Sequence, residues 1–507
     1  MTSQRIAFRT DANGEIGTGH FMRCLTLADE LKKNGAEISF VARGMPEHLT
    51  QMLQERNFAF HALPEDISAE DIDELPHSRW LKTSQHQDAV HTLEKLGHDF
   101  FDWIIVDHYA IDQRWETSLR VLAKKIMVID DLADRQHDCD ILLDQNFYQD
   151  MYRRYIGKVP SNCHLLLGPS YALLREEFKE LRKYVKPRTG DIKKVLVFFG
   201  GMDTQNYTSL ALTAIVDSNL KTDVDVVVGQ QHPKLNEITA LCKKLQFSCH
   251  IQTKNMASLM AKADLAIGAG GTAIWERFCM GLTSICTSTA DNQEQQVADL
   301  MSKGLIIALQ KNQDVKELMK LALLRLNGDS SRLSAMSKTV YDLVDGNGTS
   351  KVACFIFPEV IKIRLANLSD SKNIFIWRNH PTIRNHSRSS NEIEWAEHEK
   401  WFAKRCGQHN HPILIGQVQG QPVGVVRFDI RDNLAEVSIY RVPDSSLHGT
   451  GHKLLCEAEG WLKLNHPYVV AVHAQVLKEN ELSKRLFEKS QYVKHADSAQ
   501  IQFVKQL

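Results

Sequence analysis

The 507-residue sequence has almost no surplus of either charge: 61 Lys and Arg stand against 62 Asp and Glu, and no long run of one sign occurs. That excludes a broad electrostatic attraction to nucleic acid or anionic lipid, so any anionic ligand has to be gripped locally. The ten cysteines (24, 139, 163, 242, 249, 279, 286, 354, 406, 456) include no C-x-x-C pair, and several lie in apolar runs such as TSICTST and KVACFIF. This usage predicts reduced core cysteines rather than a disulfide framework. No uninterrupted apolar run of about 18 residues is present, as a membrane-spanning helix requires. The start MTSQRIAFRTD also lacks the basic-then-apolar plan of an export signal. Internal repeats and low-complexity segments are missing too. The expectation is a cytoplasmic protein with neither a nucleic-acid nor a membrane partner.

What is present is a chain too long for one hydrophobic core, so about three domains are expected. Over residues 1–185, short β-branched runs (RIAFRT, EISFVAR, DWIIVDHY, KIMVIDD) alternate with helix-period stretches such as HFMRCLTLADELKK. That alternation predicts a buried parallel sheet. A Pro- and Gly-containing basic stretch, VKPRTGD, reads as a hinge, and the alternation restarts over 192–345 with VLVFFGG, VDVVVG, LAIGAGG, TSICTST and LIIAL. Two doubly wound domains facing one another make a cleft, and the Gly-rich turns GEIGTGH, GGMD and GAGGT fall at the carboxyl ends of strands, where such sheets bind ligands. Past VDGNGTSK the pattern changes to a meander of short alternating strands followed by helix, strand and helix, which predicts a separate α+β domain over 360–507.

The densest chemical signal is Arg9-Thr10-Asp11 followed by Ile16-Gly17-Thr18-Gly19-His20-Phe21-Met22-Arg23-Cys24. Gly17 and Gly19 permit a tight bend after the first strand, which puts His20 at the first turn of the next helix, a position suited to anions. A histidine titrating near neutrality serves as a general base, whereas a lone histidine is more often a cap or a packed turn residue. The loop lacks the Lys-Ser/Thr ending of a P-loop, and Met22 stands where a dinucleotide fingerprint has Gly or Ala, so nucleoside triphosphate and NAD readings are both weak.

The motif R-x-D-x(4)-I-G-x-G-H-x-x-R-C resembles the opening signature of the UDP-sugar hydrolases of the pseudaminic acid pathway. The similarity continues through Val106-Asp107-His108-Tyr109, Ile129-Asp130-Asp131, Gly168-Pro169-x-Tyr171-Ala172-x-Leu174-Arg175, Phe199-Gly200-Gly201-x-Asp203 and Gly270-Gly271-Thr272-x(3)-Glu276, over about 345 residues. The resemblance implies two Rossmann-like domains in a GT-B arrangement. It also implies metal-independent hydrolysis of UDP-2,4-diacetamido-2,4,6-trideoxy-β-L-altropyranose, with C–O cleavage and inversion. By matching position, His20 would be the general base, with Asp11 orienting it or binding a sugar amide. Arg9 and Arg23 would face the diphosphate, although a structural ion pair is the competing reading for Arg9 and Asp11. Gly17, Gly19, Tyr109, Arg175, Gly201 and Asp203 would join the substrate contacts. Gly271 and Thr272 would receive a phosphate, Glu276 would hold the ribose diol, and Asn292, Gln293 and Gln296 would form a polar helix start facing the ligand.

In the last domain, SIYRV and Leu447-His448-Gly449-Thr450-Gly451-His452 resemble the strand and pyrophosphate loop of GNAT acetyltransferases. The downstream Asn480-Glu481-Leu482-Ser483 segment also matches. The implied co-substrate is acetyl-CoA, held by Tyr440, Val442, His448, Gly449, Thr450, Gly451, His452, Asn480 and Ser483. This chain has Ser446 where the family usually has Gln or Arg, Phe487 where many members have a Tyr acid, and Gln491 where they have Gly. The acid is therefore unassigned, with Tyr440 and Tyr492 as candidates. Trp377-Arg378-Asn379, Arg384, Glu397-His398 and Trp401-Phe402 resemble the acetyltransferases acting on the 4-amino group of the pseudaminic UDP-sugar intermediate, which puts Arg378 and Asn379 on the acceptor side. Two rival readings stay open: a GT-B glycosyltransferase in which an acceptor hydroxyl replaces water, and a last domain that is a non-catalytic module.

Overall fold

The computed structural model describes residues 3–65, 73–97, 99–189, 191–310, 314–357, 361–387, 390–418, 420–443, 450–496 and 501–507. It divides into two compact units, Met1–Ile356 and Phe357–Leu507. No helix among the described residues is long and apolar enough to cross a membrane.

In the first unit, β1 (Arg5–Thr10), β2 (Glu37–Arg43), β3 (Ala59–Leu63), β4 (Phe101–Asp107), β5 (Ala123–Ile129), β6 (Ile141–Asp144) and β7 (His164–Leu167) form an all-parallel sheet in the order β3-β2-β1-β4-β5-β6-β7. A second parallel sheet holds β8 (Lys194–Phe198), β9 (Asp223–Val228), β10 (Ser248–Ile251), β11 (Leu265–Ala269), β12 (Ser284–Thr287) and β13 (Ile307–Leu309), in the order β10-β9-β8-β11-β12-β13. Their central strands are apolar on both faces because helices cover each side. Both sheets are doubly wound Rossmann-like layers. Each reverses direction once, between β1 and β4 in the first sheet and between β8 and β11 in the second. These switch points open crevices at the carboxyl ends of the strands.

The chain exchanges segments between the two layers. Ala172, Leu174 and Phe178 pack with Leu196, Trp275 and Phe278 in the core of the second layer, so part of the span expected in a first domain of 1–185 is built into the second. Conversely, helix Gly348–Ile356 lies against helix Gly19–Lys33 of the first layer. The Trp103 indole donates to Ile356 O (3.0 Å), Ser350 Oγ to Glu30 (2.8 Å), and Leu174 N to Thr349 Oγ1 (2.9 Å). An edge drawn at residue 345 cuts off this helix, whose Val352, Ala353 and Ile356 are fully buried.

In the second unit, β14 (Lys362–Leu365), β15 (Ile413–Val418), β16 (Gln421–Arg431), β17 (Leu434–Arg441), β18 (Ala471–Val476), β19 (Val493–Ala496) and β20 (Ile501–Gln506) run in the order β14-β15-β16-β17-β18-β20-β19. All neighbours are antiparallel except β17 and β18, which pair in parallel only from Leu434–Ala471 to Glu436–His473. Past Glu436, β17 continues to Arg441 while its pairing with β18 has ended, so the sheet splays open there. Helix Gly451–Asn465 follows and packs Leu454, Leu455, Ala458 and Leu462 into the core. This is the expected α+β domain.

Candidate functional site

The first crevice is built by register. Thr10 at the end of β1 stands opposite Asp107 at the end of β4, across the switch point. Gly17 turns with φ +78°, a conformation that favours glycine, and its N–H donates to Asn13 O at 2.8 Å. The bend places His20 as the second residue of helix Gly19–Lys33, over the end of β4. Its Nδ1 lies 2.6 Å from Asp107 Oδ1. A carboxylate only accepts, so Nδ1 carries the proton that meets Asp107, and in the neutral ring the lone pair is on Nε2. Arg23, one turn on, donates to Asp107 through Nε (2.5 Å) and Nη2 (2.7 Å), and reaches Asp131 at 3.3 Å. Burial alone would raise the Asp107 carboxyl; Arg23 and His20 outweigh it and hold the group well below the usual carboxylate range.

The neighbouring polar groups have different work. Arg9 is 1 % exposed and grips Asp88 at 3.0 and 2.8 Å as well as Asp11. Asp11 also accepts from Arg43 N (2.8 Å) and lies 3.2 Å from His108. Burial disfavours its charge, but Arg9 and His108 keep it ionised. Arg9 and Asp11 are therefore locked in a buried network, and it is Asp107, not Asp11, that orients His20. Arg23 is likewise 4 % exposed and neutralised by Asp107, so it braces the pair instead of presenting a free cation to a diphosphate. The chain positions expected at the ligand thus include three that serve the frame.

Tyr109 edges its ring onto His20 with centroids 4.5 Å apart, donates its hydroxyl to Asp131, and accepts from Asn292 of the second layer at 3.2 Å. Asn146 donates to Asp131 (3.1 Å) and accepts from the Trp275 indole (3.2 Å), making a further link across the cleft. Arg175 reaches Glu276 at 3.1 Å and Glu177 at 2.7 Å. Burial pushes the Glu276 carboxyl up, against the pull of Arg175.

At the second switch point β8 and β11 approach so closely that a Cβ on Gly268 would stand 2.2 Å from Phe198 O. The turn beyond holds Gly271 and Thr272 half-buried before helix Ala273–Cys279, and Thr272 makes no side-chain cap. Gln293 accepts from Thr289 N (3.0 Å) and lies beside Gly271, whose Cβ would be 3.2 Å from Gln293 Nε2. Gln296 is buried and donates to Gly270 O (3.0 Å), so it shapes the turn. Gly201 is exposed after β8, whereas Asp203 is buried, accepting from Tyr207 N (2.9 Å), Thr208 N (2.8 Å) and Thr208 Oγ1 (2.7 Å). It caps helix Tyr207–Asp217, a structural duty that leaves its carboxylate engaged.

In the second unit a cavity of about 280 Å³ lies between helices Ser371–Asn379 and Trp395–Arg405 and the sheet, lined by Arg378, Glu397, Trp401, Arg427, Ser438 and Tyr440 among others. Burial lowers the Arg378 guanidinium, with Arg427 adding repulsion, and raises the Tyr440 phenol. Asn379 does not share this cavity's lining: its amide donates to Ile393 O (2.8 Å) and accepts from Ile393 N (2.9 Å), clasping a loop. Val442 N donates to Val423 O at 3.0 Å. His448, Gly449 and Ser446 lie outside the described residues. Thr450 is buried and Gly451 opens the helix. The His452 ring is turned to Ser490 Oγ at 2.9 Å. Asn480 caps helix Glu481–Lys489 by accepting from Ser483 N (3.0 Å). Tyr492 donates its hydroxyl to Glu459 (2.7 Å) inside the core, which removes it from contention as a proton donor at the splay.

The model of the Glycosyltransferase family 28 C-terminal domain matches residues 195–349, the second Rossmann-like layer. An uncharacterized protein of Methanocaldococcus jannaschii is 24% identical over 96% of each chain. The UDP-2,4-diacetamido-2,4,6-trideoxy-beta-L-altropyranose hydrolase of Campylobacter jejuni is 26% identical, covering 59% of this chain and 97% of its own. Acetyltransferase PseH of the same organism is 25% identical over 27% of this chain and 86% of its own. The two Campylobacter proteins are separate chains, whereas the archaeal relative matches nearly the whole of this one.

Asp107 is the member of this candidate site that the sequence motif left without a role. It lies 87 positions from His20, and only the β1–β4 register brings the two together. Among the described residues no group of three or more His, Cys, Asp or Glu side chains is arranged to hold a metal ion.

Proposed function

We propose that the chain carries two consecutive enzymes: an acetyl-CoA-dependent N-acetyltransferase in residues 361–507, and a hydrolase in the first unit that cleaves the acetylated UDP-sugar to free sugar and UDP. The observation that carries the hydrolytic half is the His20 Nδ1 to Asp107 contact of 2.6 Å in the crevice at the β1–β4 switch point.

In this reading Asp107 fixes the tautomer, and Nε2 of His20 removes a proton from water as the oxygen attacks the anomeric carbon. The C–O bond to the diphosphate breaks with its electron pair staying on the UDP oxygen, so the anomeric configuration inverts. Because Arg9 and Arg23 are already paired, the diphosphate is held by backbone N–H groups at the start of helix Gly19–Lys33 and at the Gly270–Thr272 turn. Glu276 takes the ribose diol, exchanging its contact with Arg175 for two hydroxyls. The substrate is UDP-2,4-diacetamido-2,4,6-trideoxy-β-L-altropyranose, in keeping with the Campylobacter relative.

In the last domain the splay between β17 and β18 admits acetyl-CoA, with its pyrophosphate at the turn into helix Gly451–Asn465. The 4-amino sugar nucleotide enters the cavity lined by Arg378 and Tyr440. The free amine attacks the thioester carbonyl, the C–S bond breaks, Tyr440, the candidate that faces the cavity, supplies the proton to the departing sulfur so that coenzyme A leaves as the thiol, and the proton lost by the attacking nitrogen restores the phenol.

The family 28 match favours a second reading, transfer of the sugar to an acceptor hydroxyl. Purified protein given the diacetamido UDP-sugar and no acceptor separates the two: hydrolysis releases UDP and free sugar at the full rate, and a transferase releases neither until an acceptor is added.

A further inference from the structure

Beside His20 stands a set of rings that the hydrolytic chemistry does not use. The Trp80 indole stacks on Tyr109 with centroids 5.5 Å apart and planes 23° apart, and its edge meets His20 at 6.2 Å. His77 lies 4.6 Å from Trp80 and 5.3 Å from Tyr109. Trp80 and His77 belong to a short turn, Ser78–Leu81 and its preceding residue, whose Ser78 and Leu81 are buried while Trp80 and His77 remain half-exposed. Leu81 anchors the turn in the first-layer core. Tyr109 is immobilised from the other side by Asp131 and Asn292. The rings are thus held rigidly, and they form a wall continuous with the His20 imidazole.

Such a wall is costly to leave in water, and its largest face, the Trp80 indole, carries no hydrogen-bond acceptor for a hydroxyl. Its π faces attract the weakly positive C–H bonds of an apolar surface. Burial lowers the pKa of His77, against Asp134 and with Arg135, His20 and His108, so the ring is neutral and suited to packing.

We propose that Trp80 and His77 form the face on which the sugar ring of the substrate stacks, and that this face selects a sugar whose C6 is a methyl group over one bearing a C6 hydroxyl. The inference rests on the UDP-sugar reading of the same crevice. It assigns the turn Ser78–Leu81 to specificity for the sugar, and leaves the nucleoside to the second layer. With C6 seated on the Trp80 indole, a hydroxyl there loses its water without gaining a partner, which corresponds to a discrimination of about tenfold to a hundredfold.

The test uses the full chain with His20→Asn to suppress turnover, and measures dissociation constants for UDP, the diacetamido-trideoxy UDP-sugar and UDP-N-acetylglucosamine by calorimetry. Adding Trp80→Ala should weaken the trideoxy UDP-sugar about tenfold, leave UDP within about twofold, and narrow the preference over UDP-N-acetylglucosamine; Trp80→Phe should restore most of the loss. Equal weakening of UDP and UDP-sugar, or an unchanged UDP-sugar affinity, would overturn the stacking role. Because the readout is binding, it stands apart from the hydrolytic reading, which fails only if the unsubstituted chain releases no UDP from the trideoxy substrate.

Discussion

Asp107 and His20 meet at 2.6 Å across the first switch point, with Arg23 closing the far side of the carboxylate. Histidine held in one tautomer by a buried carboxylate is equipped to take a proton at Nε2 and nowhere else. His20→Asn is expected to lower UDP release by about 10²-fold or more while UDP binding stays close to normal. Asp107→Asn should lower kcat by at least about tenfold, since the amide no longer demands the Nδ1–H tautomer. Steady-state kinetics with a UDP titration checks both; turnover like that of the unsubstituted chain in His20→Asn ends the assignment.

Arg9 distinguishes a structural from a ligand-binding cation. Its guanidinium holds Asp11 and Asp88 in a buried network, so Arg9→Met removes the cation the two carboxylates share and leaves Asp11 to Arg43 N and His108, and Asp88 to Arg43 and Trp115. The expected loss is roughly 3–5 kcal/mol of stability. Chemical denaturation should detect it. A variant of unchanged stability with a raised KM would instead put Arg9 at the diphosphate.

Asp144 predicts a pH dependence. It is buried at the end of β6, where loss of solvent and the nearby Asp131 and Asp130 carboxylates push it up to about 8, against the Asn146 N–H and Arg154. The folded state therefore favours the protonated acid. Its stabilising contribution is complete below the ordinary carboxyl pKa of about 4 and is lost as pH rises through 8. Asp144→Asn should flatten the decline in melting temperature between pH 5 and 8; an unchanged slope contradicts the placement of this carboxyl.

The fold and the site were legible to different depths. The parallel layers followed from runs such as DWIIVDHY and LAIGAGG, because strands covered on both faces must be apolar throughout. His20 was legible because Gly17 and Gly19 fix its position within a few residues. Asp107 was not, since its pairing depends on strand order. Arg9, Asp11, Arg23 and Asp203 carry ligand-like chemistry, yet each is buried on partners within the fold, and Asn379 clasps the Ile393 backbone, directions that residue type alone does not encode. The segment after Val344 falls between the two patterns read from the sequence, but its apolar positions Val352, Ala353 and Ile356 belong to a helix returning to the first layer.

That helix sets where the chain can be divided. A fragment ending at residue 357 should fold and release UDP from the diacetamido substrate. One ending at 345 loses three buried apolar side chains, on the order of several kcal/mol, and should melt lower. Thermal unfolding of the two fragments decides between them, and equal melting would show that the helix contributes nothing.

The central claim is that one chain performs two steps in order, and product NMR tests it most directly. The full-length protein is supplied with the UDP-4-amino sugar and acetyl-CoA, and the mixture is followed in time. The account predicts N-acetylation first, then free diacetamido sugar and UDP, with His20→Asn halting at the acetylated UDP-sugar. Release of UDP from the unacetylated sugar at the same rate, or no consumption of acetyl-CoA, would contradict it.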